Sequence, residues 1–215
     1  MKVVSLNTGL PREVAWKGKT VRTGIFKRPV EGRLRLTRLN FEGDGQADLT
    51  VHGGREKAVY AYPSEHYPFW AAELSRDDLA WGEFGENLTT EGLGEEEVCI
   101  GDRFRIGTAE LMVTQPRMPC FKLGIRFGRA DLVKRFQRSG RSGFYLAVER
   151  EGEVGAGDAI QALPRGGDSL SVRDVVRLYV GELREPALSR RASELPALPE
   201  EWRQHFREQA AKSRA

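Results

Sequence analysis

Through the first 163 residues, apolar positions gather in short runs, several of which alternate with polar ones at a period of two, and glycine separates the runs. "KVVSLN" at 2–7, "RLRLTRL" at 33–39, "RFRIG" at 103–107, "AELMVTQ" at 109–115 and "FYLAVER" at 144–150 predict strands. The dipeptides GD, GG and EG between them punctuate turns. "SEHYPFWAAEL" at 64–74 predicts a helix with Ser64 as its N-cap, which places Pro68 in the first turn or at a kink. "RADLVKRFQ" at 129–137 predicts a second, short helix. Many short strands with few helices favour a β-barrel-like or compact mixed sheet over a doubly wound fold.

The period changes after "LPRGGDSL" at 163–170, a linker by composition. Val172, Val175, Val176 and Tyr179 recur at helical spacing and predict one inward face. Pro186 and Pro199 open two further helices, because a missing N–H costs nothing at a helix start. Leu188, Ala192 and Leu195 face inward on one of these, Trp202 and Phe206 on the next. The expected organisation is a mainly β domain over 1–163 and a small three-helix unit over 168–212. So short a unit packs on the barrel in preference to folding alone.

Composition narrows the function classes. The 215 residues suit one sizeable core plus an appendage, and 40% hydrophobic with 30% charged residues describes a soluble globular chain. A net charge of +3 from 34 basic and 31 acidic residues argues against a general polyanion binder. From Arg165 onward, ten Lys/Arg stand against eight Asp/Glu, so the helical tail is a solvated surface with no nucleic-acid partner expected. No apolar run approaches the roughly 20 residues that cross a bilayer, and "MKVVSLNTGL" lacks a secretory core. A cytoplasmic chain with no membrane partner is expected, with Cys99 and Cys120 as reduced thiols. The "GKT" at 18–20 echoes a phosphate-binding loop, but Glu13 stands where that loop needs glycine. Zinc spacings such as C-x-x-C or H-E-x-x-H are absent, so no protein-built zinc site is expected.

Four stretches carry candidate chemistry. "GDGQADLTVHGGREKAVYAYPSEHY" joins His52, Gly53, Gly54 and Lys57, and paired glycines let a backbone approach a ligand. On spacing alone, a plain polar turn with a locally satisfied His52 is the better reading. "FGENLTTEGL" offers Asn87, and "GRSGFY" offers Arg141; each also reads as an ordinary turn residue. "QPRMPCFKL" is sharper. Pro119 stiffens the approach to Cys120, and Arg117 and Lys122 would stabilise a thiolate if their side chains converge. Such a thiolate can be a nucleophile, a redox sensor or a soft-metal ligand, while a lone cysteine is more commonly a small buried hydrophobe. Cys99 in "EEEVCIGD" fits that bland role.

In order and spacing, "TGIFKRPV", "GDGQADLTVHGG", "YPSEHY", "FGENLTTEGL", "IGDRF" and "QPRMPC" resemble the MOSC family, named for the C-terminal domain of molybdenum cofactor sulfurases. The resemblance is to its YiiM-like branch and covers nearly the whole chain, the tail resembling the three-helix domain of that branch. It implies a β-barrel-like MOSC fold that binds the molybdenum cofactor, with Cys120 as the molybdenum ligand. It further implies that Thr23, Lys27, His52, Gly53, Gly54, Lys57, Asn87, Gln115, Arg117 and Arg141 line one pocket around that cysteine. Met118 and Ala147 depart from residues common in relatives.

YiiM-like proteins are associated with reduction of N-hydroxylated compounds, hydroxylaminopurine-type base analogues among them. The implied reaction takes R–NHOH, two electrons and two protons to R–NH2 and water. No flavin or iron–sulfur motif is present, so the implied partners are a small N-hydroxylated substrate and an external electron-donor reductase. Two alternatives stand beside this reading: a non-catalytic protein that binds or carries the cofactor, or carries a persulfide on Cys120, and a small-ligand or interaction module whose Cys120 is structural. The tail is expected to serve recognition, by docking the donor or covering the pocket entrance, and not to bind the cofactor.

Overall fold

The computed structural model describes residues 1–47, 53–167 and 169–212. In chain order the elements are β1 (Lys2–Thr8), β2 (Arg12–Trp16), β3 (Lys19–Thr23), β4 (Arg28–Pro29), β5 (Arg33–Leu36), β6 (Val59–Pro63), α1 (Tyr67–Leu74), β7 (Leu88–Glu91), β8 (Arg103–Ile106), β9 (Ala109–Pro116), α2 (Phe121–Phe127), α3 (Leu132–Ser139), β10 (Phe144–Arg150), β11 (Gly152–Gly155), β12 (Ile160–Ala162), α4 (Val172–Tyr179), α5 (Pro186–Glu194) and α6 (Glu200–Lys212). Eight strands form one sheet in the order β12-β8-β9-β10-β6-β7-β1-β4. All its neighbours are antiparallel except β6 and β7, which run parallel through Ala61 opposite Leu88.

The two ends of the sheet meet. Val3 N donates to Asp158 O at 2.9 Å, Gly157 N to Val3 O at 2.8 Å and Ile160 N to Met1 O at 3.0 Å. These bonds draw the start of β1 to the lead-in of β12 and give the sheet its barrel-like form, leaving few unpaired edge groups. The resemblance implied this sheet-dominated architecture, and the structure has it.

Local sequence explains several boundaries. "RLRLTRL" stops being a strand at Leu36, because the Thr37 hydroxyl donates to Asn40 O at 2.9 Å and turns the chain. The "GKT" echo lies in a hairpin: Lys17 and Gly18 both take positive φ, 49° and 75°, and the backbone reverses between β2 and β3. Ser64 does not cap α1. It opens a short 3-10 turn over Ser64–His66, and α1 begins at Tyr67 with Pro68 in its first turn.

A continuous core runs from the strands into the tail. Leu6, Phe104, Leu111, Val113, Phe144 and Val154 share one buried cluster with Val172, Val175, Leu178, Ala192, Trp202 and Phe206. The three terminal helices therefore pack as part of the main body. Tyr179, placed on the inward face by its spacing, is 37% exposed, and Leu178 is buried instead. A second, aromatic cluster of Tyr60, Tyr62, Tyr67, Trp70, Phe84 and Phe136 fills the space between β6, α1 and α3. Among the described residues, no helix is long and apolar enough to cross a membrane.

Candidate functional site

Strand β9 delivers its C-terminal end to the sharpest sequence feature. After Gln115 and Pro116 the chain leaves the sheet, and Cys120 sits in extended conformation (φ −122°, ψ 174°) immediately before α2. Cys120 is half-buried, and Cys99 is buried. Burial pushes the Cys99 thiol up, which suits a packing role.

Two clefts meet at Cys120. The first encloses about 700 Å³ including its mouth and is lined by Thr23, Lys27, Asp44, Lys57, Asn87, Arg117, Cys120 and Lys122, with Gly24, Gly45 and Gly85 among its walls. The glycines have a steric reason. A Cβ on Gly24 would lie 2.6 Å from Gly45 O, and Gly85 (φ 84°) would bring its Cβ to 2.8 Å from Ile25 Cγ1.

Among the described residues, four cations and one carboxylate line this cleft. That carboxylate, Asp44, organises three groups: Lys27 Nζ donates to its Oδ1 at 2.5 Å, Gly9 N to the same oxygen at 2.9 Å, and Asn87 Nδ2 to its Oδ2 at 2.8 Å. Asn87 Oδ1 in turn accepts from Tyr60 N at 3.1 Å. Both charges of the Lys27–Asp44 pair are almost fully buried. Behind Asn87, the buried Glu86 carboxylate accepts from Gly82 N at 2.9 Å, Phe84 N at 3.1 Å, Thr89 Oγ1 at 3.0 Å and the Tyr67 hydroxyl. Burial raises its pKa, and these donors pull the other way.

Arg117 is an expected member in an unusual setting. It is 5% exposed, its Nη2 donates to Phe84 O at a long 3.4 Å, and Nη1 has no partner among the described residues. Its guanidinium lies 5.2 Å from the Tyr60 ring centre and 5.0 Å from that of Phe136. Burial opposes its charge, yet Tyr60, Tyr145 and Cys120 outweigh that cost and hold its pKa above the usual arginine value. A buried guanidinium with an unmet donor, beside further cations, has the chemistry to receive an anionic group.

The second cleft, about 890 Å³ with its open mouth included, is lined by Lys57, Gln115, Met118, Pro119, Cys120 and Tyr145 on the barrel side and by Tyr179, Glu201, Trp202 and His205 from the tail. Cys120, Met118, Lys57 and Tyr145 belong to both clefts.

Of the residues expected around Cys120, Thr23, Lys27, Lys57, Asn87 and Arg117 share the first cleft with it. Gln115 lines the second instead, because its side chain leaves β9 on the tail side. Arg141 is not at either cleft: its guanidinium stacks 3.8 Å over the Phe69 ring and donates to Ser139 O at 3.2 Å. Gly53 and Gly54 also stand outside both linings. Gly54 N donates at 3.0 Å to Gln46 Oε1, and Gln46 is the residue that lines the cleft. His52 lies outside the described residues. Ala147 pairs with Met112 within the sheet, away from both clefts, whereas Met118 lines both. Asp44 escaped the sequence reading although it stands between two glycines in "GDGQ", and an acid in a ligand loop was its one visible signal. Tyr145 and the tail aromatics had none, since their spacing reads as core.

The sequence model of the MOSC domain matches residues 48–161, just over half the chain, and that of the YiiM-like 3-alpha helix domain matches 170–212. The chain belongs to the MOSC domain family. Protein YflK of Bacillus subtilis (strain 168) is 47% identical over 95% of this chain and 92% of its own length. The crystal structure of YiiM from Geobacillus stearothermophilus superposes with a TM-score of 0.81 at 34% identity, covering 97% of this chain and 98% of that one. A protein of Gibberella moniliformis named "Reductase" is 37% identical over 75% of this chain, a match that spans 29% of the fungal protein.

Proposed function

We propose that this MOSC-family chain is a molybdenum-cofactor-dependent oxidoreductase that reduces N-hydroxylated compounds, with Cys120 as the protein's ligand to molybdenum. The observation that carries the reading is the orphaned, buried Arg117 Nη1 in the cationic cleft beside a half-buried thiol. A cofactor bearing a phosphate and a dithiolene needs anion recognition next to a soft protein donor, and the first cleft has the residues for both. The cofactor would supply the two-electron chemistry.

The protein's part is to bind and orient. Arg117, Lys27 and Lys122 would offset the negative charge of cofactor and thiolate, and Lys57 stands at the junction with the second cleft. Asp44 keeps Lys27 and Asn87 in fixed positions, so little reorganisation accompanies binding. Burial raises the Tyr145 pKa, so its phenol keeps its proton beside Cys120 and can donate to a substrate oxygen. The balanced change is R–NHOH plus two electrons and two protons giving R–NH2 and water, with electrons delivered by a separate reductase. The relative named a reductase supports an oxidoreductase role.

The test is metal and pterin analysis of the chain produced in a host that makes the cofactor, followed by turnover of a hydroxylamine acceptor with an artificial donor. Stoichiometric molybdenum and pterin that disappear in Cys120→Ser, together with turnover, support the reading. Cofactor without turnover favours a carrier, and protein lacking both molybdenum and pterin overturns the proposal.

A further inference from the structure

The excess charge of the chain sits in one small element. Of the 34 basic and 31 acidic residues, the ribbon formed by β2 and β3 (12–23) holds four and one, so the remaining 30 basic and 30 acidic residues balance. Arg12, Lys17, Lys19 and Arg22 are all exposed, and none has an ion-pair partner among the described residues. The ribbon pairs with no other strand among those residues. Its register puts Val14, Trp16 and Val21 on one half-buried face and turns Glu13, Ala15, Thr20 and Arg22 outward. Cations on open strand edges deter aggregation, but that role does not explain why the whole excess is gathered here.

Both ends of the ribbon are anchored in the wall of the first cleft. Ahead of β2, Gly9 N donates to Asp44 Oδ1 at 2.9 Å, and a Cβ on Gly45 would lie 2.5 Å from Pro11 Cδ. After β3, Thr23, Gly24 and Ile25 line the cleft directly. Leu10, 69% exposed, lies against Gly45, and Phe121, 51% exposed, stands between the wall residues Cys120 and Lys122. Open apolar side chains rimmed by cations have the make-up of a protein-docking surface. A single-stranded nucleic acid would use the cations and leave Leu10 without a role. The tail, expected to dock the donor or cover the entrance, has several of its cations already paired. Arg173 meets Glu96, Arg177 meets Asp174, and Arg203 and Arg207 both meet Glu200.

We infer that the β2–β3 ribbon, together with Leu10, docks the electron-donating protein through a carboxylate-rich face on that protein. The donor's role rests on the function proposed above; the surface and the charge it selects rest on the ribbon itself. A protein held there stands against the wall of the cleft that contains Cys120, so docking and electron delivery share one side of the barrel. Complementary charge acts chiefly on the encounter rate, and its loss shows in kcat/KM and in salt dependence.

The experiment compares two electron donors on the cofactor-loaded full chain with a hydroxylamine acceptor. Reduced methyl viologen is small and needs no docking surface. A plant-type [2Fe–2S] ferredoxin is an acidic protein, and two reduced molecules of it supply the two electrons. Lys17→Glu combined with Lys19→Glu should lower ferredoxin-driven kcat/KM about 10-fold or more and flatten its decline with salt. Viologen-driven turnover should not fall and molybdenum content should be unchanged, which also shows that the variant is folded. Lys134→Glu combined with Arg138→Glu makes the same charge change at exposed positions of α3 and should leave both rates unchanged. Equal ferredoxin kinetics in wild type and the ribbon variant, or an equal loss in the α3 variant, would overturn the inference. So would wild-type protein that turns over with viologen but not with ferredoxin, or ribbon-dependent binding of single-stranded RNA or phosphatidylglycerol vesicles that outcompetes ferredoxin. Protein without molybdenum and without viologen-driven turnover sinks the proposed function instead. Calorimetric titration with ferredoxin then reads the surface alone: binding lost in the ribbon variant keeps the inference, and no binding to wild type ends it.

Discussion

Trp202 Nε1 donates to Gln115 Oε1 at 2.8 Å, joining α6 to the end of β9 across 87 residues of sequence. This bond sits five residues before Cys120 and beside the core shared by barrel and tail. Truncation at Gly166 should therefore give an insoluble or molten chain in place of a folded barrel, because it uncovers the faces that Val172, Val175, Leu178 and Phe206 bury. Solubility and a thermal melt check this; a cooperative barrel after truncation would show that the tail is an independent unit. Trp202→Phe, which removes only the N–H and some ring area, should cost about 1–3 kcal/mol, read from denaturant unfolding.

Asp44 stands at the centre of the first cleft. Asp44→Asn leaves the buried Lys27 ammonium without its counter-charge and should destabilise the chain by about 3 kcal/mol or more. The same variant should lose bound molybdenum, because Lys27 and Asn87 are released together. A melting temperature equal to wild type would show that Lys27 finds another partner.

Arg117 should behave in the opposite sense. Without ligand its unmet Nη1 is a cost, so Arg117→Met should leave the melting temperature of the ligand-free chain unchanged or raise it while abolishing cofactor retention. Loss of stability with normal retention would make Arg117 a packing residue.

The two thiols should separate by reactivity. Cys99 is buried with its pKa pushed up, and Cys120 is half-exposed in a cleft with excess positive charge. Iodoacetamide should label Cys120 first in the native chain, and both only after unfolding, as peptide mass analysis would read. Preferential labelling of Cys99 would contradict this placement.

Among the described residues, Glu86 accepts from Gly82 N, Phe84 N, Thr89 Oγ1 and the Tyr67 hydroxyl. Glu86→Gln turns one acceptor into a donor facing other donors. It should cost about 1–3 kcal/mol in denaturant unfolding and loosen the loop that carries Asn87. An unchanged stability would mean that the glutamate is already protonated and donating in the fold.

Sequence alone determined the features that depend on neighbours along the chain. The period-two runs are strands because alternate side chains must face one core, and the tail is helical because Val172, Val175 and Val176 repeat at helical spacing before the start set by Pro186. Cys120 was legible because Pro119, Arg117 and Lys122 lie within three residues of it. Tertiary structure decided what depends on pairs far apart. The barrel closes where Val3 meets Asp158, Asp44 gains its role by meeting Asn87, and Arg141 leaves the site because the Phe69 ring holds its guanidinium. Tyr179 and Trp202 read as inward positions of two separate helices, and only the docking of α4 and α6 against β9 brings them with His205 into one wall of a cleft at Cys120. Periodicity specifies which side of an element is buried, but what that side is buried against is set by the packing of the whole chain.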